Sequence, residues 1–282
     1  MHSKIVTDTV RVEPVETLRQ AQGERYFGAV RLSYEGEGGR LAVITIASPA
    51  KLNAMSRHMW QQLRSVFNSI SGSKNDACTI ILGESENFKA FSAGGDISEY
   101  PSFRFNEASL REFHEVDVWG GLQAMLNCDV PIVAQIDGAC MGAGLEIASC
   151  CDIRIAGASA KFGAPIAKLG FPMAPKEAEV VIRAVGELTA CEMLLEAAVL
   201  DAPTMLQRGF LNRVVADNEV ASSAMQSVNR ILALAPQAAR LNKQTFRGLN
   251  SQNPYAYAES AEHKEGISAF IAKRKPIWNQ ES

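Results

Sequence analysis

The chain has 282 residues, 47% of them hydrophobic and 21% charged, with a net charge of −3 at pH 7. That composition supplies a sizeable core for one large domain or a domain with an appendage. It excludes a basic nucleic-acid footprint, and no apolar run approaches the roughly 20 residues that cross a bilayer, so neither partner is expected.

Residues 1–28 (MHSKIVTDTVRVEPVETLRQAQGERYFG) are polar, mix both charges and show no sustained period. With no apolar h-region, and with acids that argue against a transit peptide, they read as a loosely ordered extension. From Val30 the pattern is α/β. RLAVITIA (40–47) alternates like a strand, and Ser56–Ile70 carries Met59, Leu63, Val66, Phe67 and Ile70 on one helical face. ACTIILG (77–83) reads as a short buried strand and residues 107–127 as a helix. Pro131 leads into another strand, Gly144–Cys151 is a short apolar helix, and DIRIAG (152–157) is a strand. After Val215, stretches 219–235 and 255–273 read as helices with no strand between. The expected organisation is an α/β core over 29–217 and a helical C-terminal region over 218–282.

The six cysteines (Cys78, Cys128, Cys140, Cys150, Cys151, Cys191) form no CxxC pair and read as reduced, buried thiols of a cytoplasmic protein. The four histidines have no ligand spacing, so no metal is expected.

FSAGGDISEY (91–100) and GACMGAGLE (138–146) both read as strand-to-helix turns built from small residues. Either one alone needs no more than a tight turn with positive φ. Neither fits GxxxxGK[ST] or GxGxxG, so no nucleotide cofactor is implied. Asp96 and Asp152 sit where they would cap or brace these turns. Taken together, two helix starts present unpaired N–H groups, and two such donors converging on one point suit a thioester enolate.

Here the chain resembles the crotonase superfamily, also called the enoyl-CoA hydratase/isomerase family. The resemblance rests on SPAKLNAMS, KAFSAGGDIS, PIVAQIDGACMGAGLEIASCCDIRIAGASAKFGAP, LNRVV and EGISAFIAKRKPIW, in that order, between Val30 and Trp278. It implies a spiral of ββα turns, a helical trimerisation region, a homo-trimer or dimer of trimers, and an acyl- or enoyl-CoA substrate. No cofactor beyond the substrate's own coenzyme A is implied. By motif position the oxyanion donors fall on the N–H groups of Gly95 and Ala143, with Gly142 and Ala143 standing in a turn that is commonly all glycine. Substrate contacts carried over the same way are Lys51, Leu52, Ala93, Asp96, Ile97, Gly142, Pro165, Ile166 and Phe270. Lys89 and Lys273 match basic positions near the CoA phosphates. Each lysine alone reads as a solvated surface residue, and Phe270 and Trp278 also read as helix packing.

Glu146 occupies the position of one of two catalytic glutamates in family hydratases. The second should follow the proline of KFGAP, where this chain has Ile166. The usual glycine-rich turn beyond it is replaced by GFPMAPKEAE, and Glu177 and Glu179 fall on the following helix. The leading expectation is therefore a hydratase/isomerase-family enzyme with one retained glutamate. The alternative is an acyl-CoA-binding protein with degraded or non-hydratase activity, such as isomerisation or decarboxylation. A serine hydrolase is more remote, because Ser92 lacks a GxSxG elbow and nothing in the sequence brings His114 to it.

Overall fold

The computed structural model describes residues 28–85, 90–249 and 253–278; all but the last residue of the expected N-terminal extension, and Lys89, lie outside them. β1 (Ala29–Glu35) pairs antiparallel with β2 (Leu41–Ala47), and α1 (Arg57–Gly72) follows. Ser56 caps α1 by accepting the Met59 N–H, and the helix buries Met59, Trp60, Leu63, Phe67 and Ile70. Then come β3 (Cys78–Gly83), β4 (Ala90–Ser92), α2 (Glu107–Glu112) and α3 (Trp119–Asn127). Between the last two the helix widens to a π-helical turn over Phe113–Val118, where the Trp119 N–H bonds the His114 carbonyl five residues back.

Two further rounds repeat one order of elements. β5 (Ile132–Ile136), β6 (Ala139–Met141) and α4 (Ala143–Cys150) form the first; β7 (Ile153–Gly157), β8 (Lys161–Gly163) and α5 (Pro175–Val185) form the second. The chain continues through α6 (Glu187–Leu195), β9 (Val199–Asp201), α7 (Ala202–Gln207) and β10 (Arg213–Val215). It ends in α8 (Val220–Leu232), α9 (Pro236–Phe246) and α10 (Ala261–Ile271). One six-stranded sheet has the order β1-β2-β3-β5-β7-β10, and a four-stranded sheet the order β4-β6-β8-β9. Each round thus lays one strand on each sheet and then a helix, which is a spiral.

The larger core lies between the sheets and helices α1 to α7, and α8 covers a smaller one on the outer face of β3, β5 and β7. Strand runs such as CTIILG are buried because their neighbours are parallel strands covered on both faces. Among the described residues no helix is long and apolar enough to cross a membrane.

Two expectations at the C-terminus need correction. A helix, α9, lies between the two expected there, and the stretch 255–273 is broken. A 3-10 turn covers Ala256–Glu259, then Ser260 turns extended and caps α10 by accepting the His263 N–H. The α9 helix escapes a hydropathy reading because it docks through charges. Arg240 binds Asp129 and the carbonyls of Ser73 and Asp76; Lys243 binds Asp152 and the Val130 carbonyl; Arg247 binds Asp152 and the Cys150 carbonyl. Asp152 also accepts the Ile132 N–H, so it braces β5 and α9 together.

Asp152→Ala should therefore strand the buried Lys243 ammonium and destabilise the fold by about 3 kcal/mol, lowering Tm by several degrees in a thermal melt. Lys243→Met, which leaves Asp152 its Arg247 partner, should cost less than half as much.

Candidate active site

β4, β6 and β8 are neighbouring parallel strands, so the turns that leave them emerge at one end of the small sheet. The C-terminal ends of parallel strands are where α/β folds place ligands. In the first turn Met55 donates to the Gly94 carbonyl and accepts from the Asp96 N–H, 2.8 and 2.9 Å. These bonds flank Gly95, so its own N–H points away from Met55. In the second turn Gly142 has φ 45°, donates to the Gly163 carbonyl at 2.9 Å, and accepts the Glu146 N–H at 3.0 Å. Ala143 is the first residue of α4, and its N–H is among those the helix ladder does not use.

The two turns touch. A Cβ at Gly144 would lie 2.8 Å from the Ser92 carbonyl oxygen, and one at Gly142 would lie 3.6 Å from Gly94 Cα. A Cβ at Gly95 would collide with the Tyr100 hydroxyl. Gly95, Gly142 and Ala143 are thus brought together, and Tyr100, which the sequence reading did not single out, lies against them.

Glu146 sits on the first turn of α4 and is 7% exposed. Burial pushes its carboxyl well above the ordinary range; the Glu177 carboxylate acts in the same direction and the Arg104 guanidinium opposes both. Glu177, on α5 and 4% exposed, is therefore an electrostatic neighbour of Glu146. Its Oε1 lies 2.7 Å from Nδ1 of His114, which comes from the π-helical turn. Nη2 of Arg104 lies 3.4 Å from His114 Nε2. Arg104 can only donate, so Nε2 accepts there and the Nδ1–H donates a hydrogen bond to Glu177. The Arg104 guanidinium is stacked 4.3 Å from the Tyr100 ring centroid and 3.7 Å from that of Phe171. Its Nε is buried and makes no hydrogen bond among the described residues. Burial also raises the Tyr100 phenol, with Glu146 and Glu177 adding to the shift and Arg104 countering it.

Other expected positions sort by distance from this cluster. Lys51 and Asp96 form an ion pair at 2.5 Å, with Ser98 bonded to both, and Asp96 caps the 3-10 turn Ile97–Ser102. Burial works against the Asp96 charge, but the bonds from Lys51 and Ser98 outweigh it and hold the carboxyl below the usual range. Leu52 is left-handed (φ 50°) and accepts the Ala93 N–H; Leu52, Ala93 and Ile97 are all exposed beside the first turn. Asn53 anchors that loop, accepting the Ser48 N–H and donating to the Glu84 and Ala90 carbonyls. Pro165 opens a 3-10 turn after β8, and Ile166 is packed against the main core.

Phe270 and Lys273 are exposed on and just beyond α10, whereas Trp278 packs against Gly266 and bonds the Ala233 carbonyl. Ser92 is buried beside Gly94 and His114 is engaged with Glu177, so the hydrolase pairing does not form. Cys191 is exposed, against expectation; the other five thiols are buried, and burial pushes Cys78 and Cys151 up to about 12.

Glu177, His114 and Arg104 are functional candidates missed by motif matching. One signal existed for Glu177: it lies three and four residues before Val180 and Val181, on the apolar stripe of α5. Glu179, by contrast, faces solvent.

Residues 36–281 match the family model for enoyl-CoA hydratase/isomerase. A short-chain-enoyl-CoA hydratase of Clostridium acetobutylicum is 32% identical over 250 residues, covering 84% of this chain and 93% of that one. A crotonyl-CoA hydratase of Syntrophomonas wolfei is 30% identical over 249 residues, with the same coverage. The crystal structure of an enoyl-CoA hydratase/carnitine racemase from Magnetospirillum magneticum superposes with a TM-score of 0.83 at 33% identity, covering 91% of this chain and 98% of that one.

The raised Glu146 carboxyl has a measurable consequence. The folded chain holds that proton more tightly than the unfolded chain, whose glutamates titrate near about 4.3. Its contribution to stability therefore falls as pH rises from there through the folded-state value. Glu146→Gln should match the wild type near pH 4 and melt progressively higher than it toward pH 8, by about 2–4 °C for each kcal/mol recovered. A Tm difference independent of pH would contradict this.

Proposed function

The chain belongs to the enoyl-CoA hydratase/isomerase family, and from that premise we propose that it turns over an acyl- or enoyl-CoA thioester through an enolate held by the N–H groups of Gly95 and Ala143. The observation that carries this reading is the contact between the turns after β4 and β6, with the Gly95 N–H turned away from Met55 and the Ala143 N–H outside the helix ladder. Donors fixed by backbone need no reorganisation when charge develops on the thioester oxygen. Glu146, one turn into the same helix, is the acid–base group for the carbons beside that thioester.

Lys51, Leu52, Ala93, Asp96 and Ile97 form the mouth through which the CoA arm enters, and Lys89 and Lys273 are assigned to its phosphates. No further cofactor is required, and the enzyme is assigned to the cytoplasm. The exposed Ile267, Phe270 and Ile271 side chains of α10 support assembly as a homo-trimer or dimer of trimers. A second reading, an acyl-CoA-binding protein with degraded or non-hydratase activity, draws on the apolar packing of Ile166 at the expected acid position.

Relatives named for short and crotonyl substrates make crotonyl-CoA the first probe. In a mass-spectrometric screen of enoyl-CoA thioesters from four carbons upward, at least one should be converted. Glu146→Gln should lower that turnover about 10²–10⁴-fold while calorimetry still detects thioester binding. Binding without turnover by the wild type would favour the second reading, and absence of both would refute the assignment. Sedimentation at micromolar concentration should give a trimer or hexamer; a stable monomer would refute the assembly.

A further inference from the structure

The position expected to hold a second acid is Ile166, yet the cluster around Glu146 contains a second buried carboxylate that reaches it from a different element. Glu177 projects from α5, and α4 packs directly against α5. The structure does not leave Glu177 as a passive surface acid: it is 4% exposed, and its Oε1 is paired with Nδ1 of His114. That histidine is delivered by a π-helical turn, a local widening that tends to mark functional sites.

Charge counting gives the pair unequal states. Two buried carboxylates share one cation, Arg104, whose guanidinium acts on Glu146 and reaches His114. Two like charges beside one cation favour a single ionised carboxylate, with a proton on the other. Glu177 Oε1 is paired with His114 Nδ1 at 2.7 Å, and burial raises the Glu146 carboxyl.

We propose that Glu177 is the second acid–base residue of this site, acting as the base opposite Glu146, with His114 as the residue that positions it. This rests on the thioester reading above. In hydration, Glu177 takes a proton from water as the water oxygen bonds to the β-carbon. The π electrons of the Cα=Cβ bond pass onto the thioester oxygen, held by Gly95 and Ala143. The enolate collapses as its α-carbon takes the proton of the Glu146 carboxyl. Glu146 is left as a carboxylate and Glu177 as an acid, and transfer of one proton from Glu177 back to Glu146 resets the site. Water has then been added with no oxidant or reductant. The groups facing Glu177 in this scheme are Glu146 from α4, Tyr100 and Arg104 from the segment after the first turn, and His114 from the π-helical turn.

The test is steady-state hydration of the best thioester from the screen, with crotonyl-CoA as the default, in wild type, Glu177→Gln and His114→Leu, each checked for folding by a thermal melt. Glu177→Gln should lose about 10²–10⁴-fold in kcat with KM within a few-fold. His114→Leu removes the donor that favours the ionised carboxylate, so the acid limb of its kcat/KM profile should move to higher pH, by about one unit; a merely structural role would lower the whole profile evenly. Glu177→Gln turnover within about threefold of wild type would overturn the proposal while leaving the thioester reading intact. An unshifted acid limb in His114→Leu would overturn it as well, and decides the matter should Glu177→Gln fail to fold. A wild type that converts no thioester overturns the reading and the proposal together.

Discussion

The site depends on how closely backbone can approach backbone between the turns that follow β4 and β6. Gly144 has no room for a Cβ because the Ser92 carbonyl occupies that space, and Gly142 holds φ 45°, which L side chains rarely adopt. Only because these two positions lack side chains can α4 start where it does, with Ala143 beside Gly95. Ala143 itself shows that the constraint is positional. The middle residue of the turn tolerates a methyl group, which is buried in the main core. Parallel pairing of β4, β6 and β8 supplies the rest, since it sends all three turns out of the same sheet end.

A helix start set this deeply in apolar surroundings places Glu146 where a charge is costly. The chain offsets that cost with a compact set of groups from separate elements. Arg104 lies between the Tyr100 and Phe171 rings, where the aromatic faces favour a cation, and it is the opposite charge acting on Glu146. Glu177 would worsen the balance if it stood alone, but the His114 Nδ1–H stabilises it. Burial and the Glu177 carboxylate both strengthen the hold of Glu146 on its proton, and the Arg104 guanidinium works against them. The same economy appears at α9, where Lys243 is buried only because Asp152 and the Val130 carbonyl receive it.

Much of the fold was legible because hydrophobic period and turn chemistry are local. The stripe of α1, the buried run of β3 and the glycine turns each declare themselves within a few residues. What was misread had no such local mark. The α9 helix carries its contacts on Arg240, Lys243 and Arg247, so its buried face is cationic and its hydropathy is that of a surface segment. The break at Ser260 depends on a single cap inside a stretch that otherwise reads as one helix.

The candidate site divides along the same line. By itself the sequence determined the alternation of strands with helices, the two small-residue turns, the lone glutamate entering an apolar helix, and, through the family resemblance, the isoleucine at the expected second acid. All of these are readable from neighbours in the chain or from motif order. Only the tertiary structure decided that Glu146 has company. Arg104, His114 and Glu177 lie 42, 32 and 31 positions from it in sequence, and no spacing rule connects residues so far apart. Their meeting follows from the packing of α5 on α4 and from the added width of the π-helical turn, which aims His114 at Glu177. Electrostatic coupling depends on distance through space, and that distance exists only once the spiral has closed.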